Sequence, residues 1–277
     1  MSEPEWRALN RANWDERVDI HLNAPNAYDL TRLRDGTASL DPIASAVLGP
    51  PAGLRILHLQ CHFGWDTITM ARAGASAVGL DFSPRAIEVA RGLAGELALE
   101  DRVRFVLSDL YDVREMVPEP ASFDRVFVSW GALPWLPDIR TWGQIVAHFL
   151  KPGGYLALAE GHPAAWVFDD AAASPDGRPG WLVPYLGREV FEDNNPVDYA
   201  DPDTPIKNSR TNEFPHPLSD IIMALIGAGL RLDEFQEHDS VPWRMFKCLV
   251  RGEGRYYRWP DRPWLPLSYS LRASKPG

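Results

Sequence analysis

The clearest chemical signal in the chain is an aspartate placed at the distance expected for a nucleoside site. An apolar run at 54–59 stops at a turn, a second run at 76–80 follows, and Asp81 ends it about 20 residues beyond that turn. In dinucleotide-type folds this spacing puts a carboxylate on ribose hydroxyls. A carboxylate suits that role because it accepts two hydrogen bonds at once and has no donor of its own to satisfy.

The turn itself limits which nucleotide can bind. A pyrophosphate site needs Gly-x-Gly-x-x-Gly, so that the backbone approaches the phosphates and a helix N-terminus faces them. Here the turn reads Gln60-Cys61-His62-Phe63-Gly64, with a single glycine. The sequence therefore disfavours NAD and FAD.

Two titratable residues leave the fifth apolar run, at 155–160. Glu160 and His162 would stand at the carboxyl end of a strand, where ligands bind in open α/β sheets. They are the best acid and base candidates in the chain. Glu160 could instead hold His162 or a backbone amide, which would make it structural.

Apolar runs alternate with helical patterns through the first 160 residues, which predicts an α/β fold with a mostly parallel sheet. Five strands are expected, at 54–59, 76–80, 103–107, 123–129 and 155–160. Near the end, 230–237 and 244–250 are expected to pair as an antiparallel hairpin, and 267–273 to supply a closing strand.

Composition narrows the class of protein. The 277 residues carry a formal charge of −10, which argues against a nucleic-acid surface held by phosphate contacts. Two cysteines, Cys61 and Cys248, give no disulfide framework and fit a reducing compartment. With no apolar run near 18 residues and no basic leader pattern, we expect a cytoplasmic protein that does not enter a membrane.

Three regions are predicted from changes in pattern. Residues 1–50 form an N-terminal helical cap, 51–163 and 214–277 form the core, and 164–213 are inserted. The insert is rich in Pro and aromatic residues and has no sustained period, so we expect a lid of hairpins and turns rather than a structureless loop. An insertion that merely covers a sheet edge is the alternative.

The motif His-Leu-Gln-Cys-His-Phe-Gly at 58–64, followed by Gly-Leu-Asp-Phe-Ser at 79–83, resembles the class I S-adenosylmethionine-dependent methyltransferases. It looks most like a bacterial subgroup with this first motif. The resemblance implies a Rossmann-like seven-stranded fold and S-adenosylmethionine as methyl donor. Most members of the wider family have an acidic residue where this chain has His58, and glycines where it has Gln60 and His62.

The resemblance also implies roles for individual residues. Asp81 would hold the ribose and Asp109 the exocyclic amine of adenine, although Asp109 could simply cap its own turn. Trp14, His21 and Tyr28 of the cap would line the pocket, although Trp14 and His21 could instead only pack the cap on the core. The full set of expected cofactor-binding residues is Leu59, Gln60, His62, Gly64, Asp81, Phe82, Ser108, Asp109, Leu110, Trp130, Trp14 and Tyr28.

The expected function is methyl transfer to a small-molecule acceptor, with S-adenosylhomocysteine as product and without a metal. His162 leads as base or orienting group, with Glu160 and His216 as further catalytic candidates; His216 precedes a helix and could instead be a capping residue. Two alternatives stay open, a non-catalytic protein that binds this cofactor and a different group transfer from it. The sequence does not identify the acceptor or the oligomeric state.

Overall fold

The computed structural model describes residues 3–252, 254 and 256–277. Its helices are α1 (Glu5–Leu22), α2 (Leu30–Asp35), α3 (Pro42–Leu48), α4 (Trp65–Arg72), α5 (Pro84–Glu96), α6 (Val113–Met116), α7 (Ile139–Phe149) and α8 (Leu218–Gly227). Its strands are β1 (Arg55–Leu59), β2 (Ser76–Asp81), β3 (Val103–Leu107), β4 (Phe123–Ser129), β5 (Leu150–Gly161), β6 (Phe168–Asp169), β7 (Gly180–Trp181), β8 (Phe191–Asn194), β9 (Arg210–Glu213), β10 (Arg231–His238), β11 (Ser240–Val241), β12 (Val250–Arg251), β13 (Tyr257–Arg258) and β14 (Ser268–Ser274).

Seven strands form the central sheet, in the order β10-β14-β5-β4-β1-β2-β3. Strands β1 to β5 run parallel, whereas β14 is antiparallel to both of its neighbours. The chain order reverses between β1 and β4, and ligands bind beyond the carboxyl ends of strands at such a point. The predicted fold class is confirmed.

Both faces of the sheet are covered by helices, which explains why its parallel strands read as continuous apolar runs. On one face Leu57, Val126 and Leu158 join the cluster that contains Trp142 of α7 and Leu225 of α8. The opposite face packs against α3, α4 and α5 in two further clusters. The sheet is therefore a rigid base for the residues at its carboxyl edge.

Helix starts follow the sequence signals closely. Ser83 caps α5 by accepting a hydrogen bond from the Ala86 amide at 3.0 Å, and Pro84 takes the first helical position. Asp138 caps α7 by accepting from the Arg140 and Thr141 amides. These caps fix where the chain leaves the edge that carries the ligand site.

The expected hairpin of 230–237 with 244–250 is wrong. Strand β10 pairs instead with β14, which lies between β10 and β5. Tyr269, Leu271 and Ala273 on β14 are fully buried. The position of β14 inside the sheet puts these apolar side chains in the main core cluster. The segment near 244–250 packs Phe246 and Leu249 into a separate small cluster.

The cap and the insert meet over the carboxyl edge of the sheet. Helix α1 packs against β9 and α5, and the insert contains two short antiparallel ribbons, β6 with β7 and β8 with β9. Asn10 of α1 donates to the Asn212 carbonyl at 2.8 Å and accepts from the Asn212 amide at 2.8 Å. We refer to residues 164–213 as the lid.

Candidate cofactor and substrate site

A cavity of about 660 Å³ lies between the carboxyl edge of the sheet, the cap and the lid. That volume is within the range of small-molecule sites, which is roughly 300–1,000 Å³. All three predicted regions contribute to its wall, for example through Trp14 of the cap, Asp81 of the core and Phe191 of the lid. Among the described residues, no group of side chains is arranged to hold a metal ion.

The turn after β1 follows a left-handed path at the three positions where the wider family has glycine. The φ angles are 54° at Gln60, 51° at His62 and 80° at Gly64. For a residue with a Cβ atom this conformation costs roughly 1–2 kcal/mol. At Gly64 a Cβ would meet Phe105 at 2.6 Å, so only glycine fits. The turn therefore keeps the family's backbone shape although two of its glycines are replaced.

Side-chain contacts hold the two residues that replace glycine. Gln60 Nε2 donates to the Ala132 carbonyl at 2.8 Å, which ties the turn to the loop after β4. The His62 amide donates to Asp81 Oδ2 at 2.8 Å, and the His62 ring contacts the cap. The strain at these positions is thus balanced by specific hydrogen bonds.

Asp81 lies at the end of β2, is buried and lines the cavity. Its Oδ1 accepts from the Ser83 amide at 2.9 Å and its Oδ2 from the His62 amide. Burial raises its pKa to about 6, against the opposing effect of these backbone hydrogen bonds. Each carboxylate oxygen has two lone pairs, so the group retains capacity for ligand hydroxyls.

The segment expected to bind adenine does not line the cavity: Ser108, Asp109 and Leu110 all lie outside its wall. Phe82, another expected cofactor residue, does line it. Asp109 accepts from the Tyr111 amide at 2.8 Å, and its Oδ2 lies 3.1 Å from Arg7 Nε of α1. This is the turn-capping arrangement, and the adenine role of this segment stays a prediction.

Aromatic residues of the cap and of the loop after β4 form much of the wall. Trp14 lies edge-on to His62 at a centroid distance of 5.3 Å and to Trp135 at 5.4 Å. Tyr28 and Trp130 also line the cavity, and Trp130 Nε1 donates to Asp41 Oδ2 at 2.6 Å. Leu59 is fully buried in the core, and neither it nor Gly64 lines the cavity.

The three catalytic candidates have different surroundings. Glu160 lines the cavity, but its carboxylate accepts hydrogen bonds from the loop after β4 and from its own strand. The donors are the backbone amides of Gly131, Ala132, Leu133 and Gly161. His162 lies outside the cavity wall and pairs with Glu237 Oε1 at 3.0 Å. His216 lines the cavity, and burial lowers its pKa.

Of these three candidates, only His216 has a ring nitrogen without a hydrogen-bond or ion-pair partner among the described residues. His216 Nε2 lies 2.7 Å from the Leu136 carbonyl oxygen. A carbonyl only accepts, so Nε2 carries the hydrogen and Nδ1 of the neutral ring keeps a lone pair. Catalytic roles for all three residues stay predictions, but the geometry favours His216.

Sequence reasoning missed a polar wall between β1, β4 and α4. Asp66, in the first turn of α4, accepts from Ser129 Oγ at 3.1 Å, and burial together with Asp41 raises its pKa to about 7. His58 has Nδ1 2.8 Å from Thr67 Oγ1, while its buried Nε2 has no partner among the described residues. Asp41, Asp66 and His58 all line the cavity. Asp66 follows the last residue of the first motif, Gly64, by two positions. This closeness to the motif was the signal that could have identified it.

The lid adds carboxyl groups to the opposite side. Glu213, Asp193 and Asp169 line the cavity, with Arg17 of α1 nearby. Burial, together with Asp193, raises the pKa of Glu213 to about 7. The cavity therefore combines aromatic surface with an excess of carboxyl groups, which suits neutral or cationic ligands over anionic ones.

Sheet order and site position together define the class of fold. Six strands that run in one direction, β1 to β5 and β10, with the antiparallel β14 inserted near the edge, a turn of glycine-like backbone after β1 and a carboxylate at the end of β2 make this a class I methyltransferase fold. Residues 56–154 match the family model described as a methyltransferase domain.

Similar proteins agree with this assignment. The chain is 32% identical over 151 residues to methyltransferase GfsG of Streptomyces halstedii, covering 50% of this chain and 53% of that protein. It is 29% identical to the human mitochondrial ubiquinone biosynthesis O-methyltransferase, covering 68% of this chain and 53% of the relative. The chain thus spans about half the length of these relatives. A crystal structure of an S-adenosylmethionine-dependent methyltransferase from Mesorhizobium loti superposes with a TM-score of 0.58 at 22% identity, over 84% of this chain and 96% of that one.

Proposed function

We propose that this protein is an S-adenosylmethionine-dependent methyltransferase that acts on a small molecule. The observation that carries the proposal is the pairing of the left-handed turn at 60–64 with Asp81, joined by a hydrogen bond and facing one cavity. The matched methyltransferase domain supports it. None of the described helices combines the length and apolar character needed to cross a bilayer.

The residues of the cavity fit the cofactor. Asp81 would accept the ribose hydroxyls, and Phe82 and Tyr28 offer flat apolar surface beside them. Asp66 and His58, on the wall between β1 and β4, would face the cationic methionine end. Aromatic faces such as those of Trp14 and Trp130 favour a cation in a water-poor pocket.

The bound cofactor supplies a sulfonium methyl group for in-line displacement. The protein then contributes alignment, exclusion of water and, for a protonated acceptor, a base. His216 would serve as this base, which is supported by the lone pair left on its Nδ1 and by burial, which lowers the pKa of the ring and so favours its neutral form. The lid carboxyl groups, Glu213 among them, favour a neutral or cationic acceptor over an anionic one.

Calorimetric titration tests the cofactor assignment directly. We expect S-adenosylmethionine and S-adenosylhomocysteine to bind and NADH not to bind. Asp81→Ala should abolish or weaken this binding, whereas Asp35→Ala, which changes an exposed carboxylate that caps its own turn, should not. Failure of both sulfur compounds to bind would refute the proposal.

The acceptor is then sought by measuring formation of S-adenosylhomocysteine in the presence of small phenols, amines, thiols and keto acids. A turnover that requires both the cofactor and one of these compounds establishes the enzyme. Cofactor binding without turnover on any compound, including apolar amines, would favour the non-catalytic alternative.

A further inference from the structure

A buried hydrogen-bonded chain connects the lid to the cofactor turn. Asp198 of the lid accepts from Arg17 Nη1 at 2.7 Å and lies 3.1 Å from His21 Nε2 through the same oxygen, Oδ2. His21 Nδ1 lies 2.8 Å from His62 Nε2. Asp198 and His21 are fully buried, and His62 lines the cavity. Three separate regions of the sequence thus meet in one line of contacts.

The hydrogen on His21 Nε2 follows from Asp198, at one end of this line of contacts. Burial opposes ionisation of Asp198, but the His21 hydrogen bond and the Arg17 charge hold its pKa below the usual range, so it accepts only. His21 Nε2 must therefore carry a hydrogen and donate it to Asp198. A second hydrogen lies between His21 Nδ1 and His62 Nε2, 2.8 Å apart. Burial and, after it, the neighbouring His21 lower the pKa of His62.

This line of hydrogen bonds ends on a residue, His62, whose backbone is in a strained conformation. His62 has φ of 51° at a position where glycine would adopt that angle without strain. Gln60, the other non-glycine residue of the turn with a positive φ angle, has its side chain held by Ala132 of the core. The His62 side chain is held from outside the core, by the cap through His21 and by the lid through Asp198.

We propose that His21 and Asp198 are positioning residues that hold the cofactor turn in its binding shape through the side chain of His62. The inference rests on the proposed cofactor site. Its consequence is that His21 of the cap and Asp198 of the lid support the cofactor site without lining the cavity themselves. Cofactor binding and seating of the lid then stabilise each other, because both depend on the same two hydrogen bonds.

The test compares His21→Phe in two backgrounds. Phenylalanine keeps an aromatic ring at this position, where His21 stacks on Tyr28 at a centroid distance of 5.1 Å and lies edge-on to Tyr199 at 5.0 Å, but it removes both hydrogen bonds. We expect His21→Phe to weaken S-adenosylhomocysteine binding about tenfold in the otherwise native chain. In the His62→Gly background the same change should alter binding less than about twofold, because glycine takes the left-handed angle without support.

Asn10→Ala provides the matched control. Asn10 lies on the same helix, is equally buried and also binds the lid region, but it has no contact with His62. Its effect on binding should be the same in both backgrounds. An equal effect of His21→Phe in both backgrounds would overturn the inference and assign His21 a general packing role.

A second measurement keeps the proposal testable without a ligand. Long-range nitrogen–proton NMR locates the hydrogens of the histidine rings. His21 should carry a hydrogen on Nε2, and one further hydrogen should lie between His21 Nδ1 and His62 Nε2. A His21 ring without a hydrogen on Nε2 would refute this line of contacts. If the native protein fails to bind S-adenosylhomocysteine while these hydrogens are found, the proposed cofactor is wrong and the lid-to-turn connection stands.

Discussion

Replacing Asp66 by Asn should stabilise the ligand-free protein, and more so at high pH. Asp66 lines the cavity, and among the described residues Ser129 alone donates a side-chain hydrogen bond to its carboxylate, from Oγ at 3.1 Å. Burial and the nearby Asp41 raise its pKa from 3.8 to about 7. An amide oxygen can still accept from Ser129, so Asp66→Asn removes the charge and keeps the contact.

The magnitude follows from proton linkage. In the unfolded chain Asp66 ionises near pH 4, whereas in the folded protein it ionises near pH 7. Below pH 4 both states are protonated and the group has no effect; the destabilisation grows as pH rises between these values and is complete above pH 7. From pH 5.5 to 7 this amounts to about 2 kcal/mol, at about 1.4 kcal/mol per pKa unit.

Urea unfolding of the ligand-free wild type and Asp66→Asn at pH 5.5 and pH 8.5 measures this difference. The gain in unfolding free energy from the substitution should be about 2 kcal/mol larger at pH 8.5. Asp138→Asn is the control, because its helix-capping carboxylate has a lowered pKa and titrates below this window. A gain from Asp66→Asn that does not change with pH would refute the assigned ionisation.

The same carboxylate should favour a cationic ligand once it is ionised. We expect Asp66→Asn to weaken S-adenosylmethionine binding, with a larger loss at pH 8.5 than at pH 5.5, measured by calorimetry. Methylthioadenosine lacks the amino-acid end of the cofactor and serves as the comparison ligand, with a smaller expected loss. Equal losses for both ligands would place Asp66 away from the methionine end.

Three further substitutions separate the roles of the other acidic and basic groups. Asp81→Ala should weaken S-adenosylhomocysteine binding by about 1–3 kcal/mol in calorimetry, since a charge-assisted acceptor is lost; unchanged binding would remove Asp81 from the site. His216→Phe should lower the rate of methyl transfer by about 10²–10⁴-fold with cofactor affinity retained, and an unchanged rate on a protonated acceptor would exclude it as the base. Glu160→Gln should lower the unfolding free energy by about 1–3 kcal/mol in urea titrations, because an amide offers one oxygen where the carboxylate accepts four backbone amides; a loss of activity with unchanged stability would instead support a direct catalytic role.

The sequence by itself determined most of the helices and strands of this protein and their order. Apolar runs, helix caps and the spacing from the turn to Asp81 are local patterns, and they predicted the five parallel strands correctly. Asp81 lies at the end of β2 and lines the cavity, and its role toward the ribose stays a prediction. The closing strand was also expected, but its pairing with β10 was not. Pairing depends on which apolar face is available across the sheet, and this is not a local property.

Only the tertiary structure decided how side chains far apart in sequence share the cavity. His21 and Asp198 are 177 positions apart, yet they form one buried contact that ends at the cofactor turn. Asp66 gains its raised pKa from burial and from Asp41, neither of which can be seen from its own neighbours in the chain. Periodicity reports which face of an element is buried, whereas hydrogen-bond partners and desolvation arise only when the elements pack together.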